Sequence, residues 1–75
     1  MHLVVDIGNT RAKYAVFDGK DIVFAGTILK RFSGSIMKKI PSEYILSAAI
    51  LSNTSQPDPR LLNALGQLPV FIHLS

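Results

Sequence analysis

The sequence predicts an α/β domain built on a mixed five-stranded sheet with two helices, in the order β-β-β-α-β-α-β. Three observations carry this. Residues 3–29 hold three apolar runs separated by tight polar turns. The hydrophobic period then lengthens to that of a helix around residues 32–40. After each of two helix-compatible stretches the chain returns to an apolar, strand-forming run.

Taken in order, Leu3 to Ile7 reads as a strand buried on both faces, because its apolar run does not alternate. Gly8-Asn9-Thr10 turns the chain. Lys13 to Phe17 forms the second strand, with Tyr14, Val16 and Phe17 of high strand propensity. Asp18-Gly19 is the strongest hairpin signal present, and Ile22 to Leu29 returns as a third strand.

Phe32, Ile36, Met37 and Ile40 then fall at helical spacing. Ser33 or Ser35 is placed to cap this helix, Gly34 weakens its first turn, and Pro41 forbids continuation past Ile40. Phe32 and Met37 read as packing residues against the sheet. Tyr44 to Leu51 is the fourth strand, and Ser52-Asn53-Thr54-Ser55-Gln56 a loop. Asp58 suits the N-cap and Pro59 the first position of a second helix. Leu61, Leu62 and Leu65 give that helix its buried stripe, and Gly66 its stop. Val70 to Leu74 is the last strand.

A right-handed crossover would lay the fourth strand parallel to the first, with the fifth beside the fourth. A final apolar strand without a helix after it leaves one sheet face poorly covered. The expectation is that residues 1–75 form a single unit belonging to a longer protein.

Composition narrows the function classes. At 75 residues there is room for one small core. A hydrophobic content of 48% argues for a folded segment rather than a disordered one. No cysteine is present, which removes disulfides and thiolate metal sites and suits a reducing cytoplasm. The apolar run at the start is interrupted by Asp6 and lacks the pattern of a signal peptide, and no run is long enough to span a bilayer. The net charge of +3 raises the question of nucleic acid. The basic residues are scattered, with only Lys30-Arg31 and Lys38-Lys39 adjacent, and no aromatics interleave them for base stacking. Solvated surface accounts for them better, and a mild positive field suits a nucleotide.

The stretch that carries chemistry is Asp6-Ile7-Gly8-Asn9-Thr10-Arg11-Ala12-Lys13. A carboxylate closing a buried strand must be paired, hydrogen-bonded or metal-bound. Gly8 leaves room for a phosphate to approach the backbone. Asn9 and Thr10 bring hydrogen-bonding groups, and Arg11 or Lys13 a positive charge. Together these suit a phosphate with its divalent cation. The same residues also fit a plain hairpin turn, since Gly-Asn is a good two-residue loop and Asp often flanks one.

Asp-Ile-Gly-Asn-Thr-Arg, followed by a strand ending in Phe-Asp-Gly, resembles the opening of type III pantothenate kinases. That family belongs to the superfamily of acetate and sugar kinases, Hsp70 and actin. The resemblance implies a ribonuclease H-like half-domain whose first hairpin cradles the ATP phosphates. Asp6 would hold Mg2+, and Ile7, Gly8, Asn9, Thr10, Arg11, Ala12 and Lys13 would complete the phosphate motif. The implied full enzyme transfers the ATP γ-phosphate to pantothenate at the start of coenzyme A biosynthesis. It works as a cytoplasmic homodimer with Mg2+ and a monovalent cation (K+ or NH4+). The family's Gly-Xaa-Asp-Arg segment, which carries the catalytic base, has no match here. The second phosphate motif and the adenosine segment are also without a counterpart.

Two other readings stand beside this one: a non-catalytic transcription accessory resembling Bvg accessory factors, and a purely structural module. Asp18 and Asp21 flank a turn, Glu43 sits in a connector, and His2 and His73 occupy strand positions typical of structural histidines.

Overall fold

The structure is a computed structural model and describes residues 1–74. Five strands form one mixed sheet: β1 (His2–Ile7), β2 (Arg11–Asp18), β3 (Asp21–Leu29), β4 (Ala48–Asn53) and β5 (Val70–Leu74). Their spatial order is β3-β2-β1-β4-β5. The meander β1-β2-β3 is antiparallel, and β4 and β5 add in parallel on the other side of β1. The α/β class, the five strands and the predicted pairing all hold.

One face of this sheet is the core. Leu3, Val5 and Ile7 of β1, Ala12, Tyr14 and Val16 of β2, and Ala49 and Leu51 of β4 are buried there. Over them lie a 3-10 helix (Lys30–Ser35), a single turn α1 (Ile36–Lys39), and α2 (Pro59–Gly66). These supply the buried Ile36, Leu61 and Leu65. The opposite face carries His2, Val4, Asp6, Lys13, Ala15 and Phe17, with Ile50, Val70 and Ile72 continuing it. No element among the described residues covers it, and Ile50, Val70 and Ile72 are exposed.

This corrects the reading of β1 as buried on both faces. The strand alternates, and an unbroken run of Leu, Val and Val arises because Val4 lies half-exposed on the uncovered face. Asp6 follows the same alternation and is exposed, so its carboxylate carries no burial cost.

The first predicted helix is also corrected. Gly34 is a poor helix former, and the Ser35 hydroxyl donates to the Phe32 carbonyl at 2.8 Å, competing with the helical ladder. The segment winds as a 3-10 helix, in which residues three apart eclipse. That geometry places Ser33 and Ile36 together in the interior and turns Phe32, at 50% exposure, away from the sheet. Neither serine caps through its side chain. Ile40 is extended ahead of Pro41, as a residue before proline prefers.

The fourth strand runs Ala48–Asn53, not Tyr44–Leu51. Tyr44 instead reaches sideways, its hydroxyl donating to the Val23 carbonyl at 3.3 Å, and Ser52 and Asn53 belong to the ladder with β1. The β2–β3 hairpin turns at Gly19 and Lys20, with Gly19 at φ +62°. In α2, Asp58 accepts from the Arg60 N–H at 2.8 Å and Pro59 opens the helix, as predicted. Gly66 is the last helical residue and does not adopt the left-handed conformation. The cap falls on Gln67, whose N–H bonds the Ala64 and Leu65 carbonyls.

Candidate functional site

The β1–β2 turn sits where β1 and β4, parallel neighbours, both reach their C-terminal ends. That position is where open α/β sheets commonly bind ligands. Its backbone is held from three sides. The Gly8 N–H donates to the Arg11 carbonyl at 2.8 Å and closes the turn. From the β4–α2 loop, the Thr54 N–H donates to the Ile7 carbonyl at 2.9 Å and the Ser55 hydroxyl to the Gly8 carbonyl at 2.9 Å. From the other flank, the Lys30 N–H donates to the Thr10 carbonyl at 2.8 Å.

These bonds leave a distinctive remainder. The carbonyls of Ile7, Gly8, Thr10 and Arg11 all accept internally, whereas the N–H groups of Asn9 and Thr10 donate to nothing among the described residues. Asn9 and Thr10 are exposed. Two consecutive free backbone donors, with most of the surrounding carbonyls occupied, form a surface suited to an anion. The Gly8 N–H is consumed in closing the turn, so it is not among the free donors.

The turn is also not the usual tight hairpin. Two-residue hairpins favour positive φ at a central residue, yet Gly19 is the only residue with positive φ among those described. Gly8 therefore does not owe its identity to a left-handed backbone. A Cβ added there would meet only the Arg11 carbonyl oxygen, at 3.4 Å. Space above Gly8 is open.

The predicted site residues divide by face. Asp6, Arg11 and Lys13 are exposed, and Asp6 pairs with Lys13 across the β1–β2 ladder. Asp6 and Lys13 line one shallow depression together with Gly26 and Thr27. No ion pair joins them among the described residues, so both charges remain available. Ile7 and Ala12 are fully buried in the core. They anchor the two strands under the turn, and their side chains face away from any ligand above it.

Sequence reasoning did not find the loop contribution. Thr54 and Ser55 fix the turn through its carbonyls, and Thr54 adds a side-chain bond to the Ile7 carbonyl at 3.4 Å. Their signal was only a polar run after a strand. His73 plays the structural part expected of it, with Nε2 2.7 Å from Asn53 Oδ1.

No group of three or more His, Cys, Asp or Glu side chains converges among the described residues. No helix there is long and apolar enough to cross a membrane. Neither a family model nor a curated protein matches the chain.

Proposed function

We propose that this chain is the ATP-phosphate-binding part of a type III pantothenate kinase, built as a ribonuclease H-like half-domain. The observation that carries the reading is the pair of unpartnered N–H groups at Asn9 and Thr10, flanked by the Asp6 and Lys13 charges. Phosphoryl transfer depends on charge neutralisation and positioning more than on covalent chemistry, and these groups serve both needs. The N–H groups of Asn9 and Thr10 hold phosphate oxygens, the open space above Gly8 admits them, and Lys13 offsets their charge.

The donor set also fits Mg2+. Magnesium keeps several waters and takes only one or two carboxylates beside substrate phosphates. Asp6 is a single exposed carboxylate without an ion-pair partner among the described residues, and it would hold the ion in that manner. When bound, the metal neutralises phosphate charge. The monovalent cation of the resemblance is assigned to no residue here. The catalytic base and the other half of the phosphate cleft lie outside the residues this reading assigns.

Magnesium–ATP titration of the full-length protein tests the proposal. Asp6→Asn is expected to lower metal-dependent nucleotide affinity and turnover with pantothenate at least tenfold. Unchanged binding and turnover would remove Asp6, and with it the phosphate-site assignment.

A further inference from the structure

A second feature lies on the helix side of the same turn, away from Asp6. A cleft opens between the turn, the 3-10 helix and the start of α2, lined by Asn9, Thr10, Lys30, Ser33, Gln56 and Asp58 among others. Ser33 sits in its wall at only 1% exposure. Its hydroxyl makes no hydrogen bond to any other described residue, although the neighbouring Ser35 hydroxyl does. No fully buried side-chain oxygen or nitrogen lacks a partner among the described residues. Ser33 is one of the residues that line the cleft.

The charges around the cleft favour an anion. Lys30 is half-buried and has no carboxylate within ion-pair distance among the described residues. The one carboxylate in the wall, Asp58, is engaged by Arg60: Nη2 lies 2.8 Å from Oδ2 and Nε 3.2 Å from Oδ1. Its repulsion toward an incoming anion is thereby offset. Lys30 is also fixed relative to the turn by its N–H bond to the Thr10 carbonyl.

We propose that this cleft is a second anion subsite, distinct from the Asp6 face, that takes a small oxyanion of the phosphate or carboxylate type. The Lys30 ammonium and the Ser33 hydroxyl hold it, with the Asn9 and Thr10 backbone at the shared edge. The inference deepens the phosphate reading, because a ligand on the turn has a place for a second anionic group. It does not depend on Asp6 or on magnesium.

The test is an amide-resolved NMR titration of the full-length protein with inorganic phosphate, and separately with acetate, both without metal. Saturable shifts at Lys30, Arg31 and Ser33 are expected. Lys30→Gln and Ser33→Ala should each weaken them several-fold to tenfold, and Asp6→Asn should leave them unchanged. Saturation with phosphate alone assigns the subsite to phosphate groups, and saturation with acetate as well assigns it to oxyanions generally. Shifts confined to Asn9 and Thr10 and insensitive to Lys30→Gln would overturn the cleft while sparing the turn. Shifts at the cleft with none at Asn9 and Thr10 would do the reverse. Absence of saturable shifts with either anion would overturn the subsite.

Discussion

Replacing Gly26 with alanine is expected to destabilise the fold by an amount that follows from one contact. Gly26 lies directly opposite Tyr14 in the β2–β3 ladder. A Cβ on residue 26 would fall 2.5 Å from the Tyr14 hydroxyl oxygen and 2.6 Å from Cζ. Ordinary contact begins near 3.4 Å, so the ring must retreat by about 1 Å. Tyr14 is only 8% exposed and packs against Phe24 at a centroid distance of 6.3 Å, so it cannot simply swing into solvent. Overpacking of this kind costs about 1–3 kcal/mol. The reduced freedom of the unfolded chain returns about 0.4–1 kcal/mol. A net loss of about 1–2 kcal/mol is large against the roughly 4–11 kcal/mol expected for 75 residues at about 0.05–0.15 kcal/mol each. Urea unfolding should show a lower midpoint at unchanged slope. Placing Gly26→Ala in a Tyr14→Leu background should remove most of the loss. A neutral or stabilising Gly26→Ala, or an equal loss in both backgrounds, would refute the reasoning.

Other outcomes follow from the same structure. Gly8→Ala is expected to change stability by less than about 1 kcal/mol, since neither φ nor space requires glycine there. It should nevertheless weaken pyrophosphate binding about tenfold by filling the approach to the turn, as isothermal calorimetry would record. Leu65→Ala, at a fully buried position that anchors α2, should cost about 2–5 kcal/mol in urea unfolding. The Asp58 carboxyl is held below its ordinary value by its hydrogen bonds from the Arg60 side chain and N–H and by the guanidinium charge. Its contribution is thus fully present above the unfolded carboxylate pKa of about 3.9 and lost as pH falls through the lower folded value. Thermal unfolding between neutral pH and pH 2 should lose that part of its acid dependence in Asp58→Asn.

The sheet was legible because its meander joins apolar, strand-forming runs through short turns, and the cap at Asp58-Pro59 is a local device with a fixed spacing. Legibility failed where two residues of context decided the outcome. Phe32, Ile36 and Ile40 have helical spacing, but Gly34 and the Ser35 side-chain bond tighten the winding. Phe32 consequently leaves the core and Ser33 enters it. Val4 gave β1 the appearance of two buried faces because an apolar residue on an uncovered face looks the same in sequence as one in a core. At the candidate site, Asp6, Gly8, Asn9 and Thr10 were visible as residue types. Which carbonyls of the turn are occupied was not, since that depends on Thr54, Ser55 and Lys30 arriving from distant elements.

The most direct test of the central claim is the amide spectrum of Asn9 and Thr10 during titration with magnesium pyrophosphate. The account predicts that these two amides move furthest and saturate together, as donors to a bound phosphate do. If both stay in place while the ligand saturates elsewhere, or if nothing saturates, the turn is only a turn.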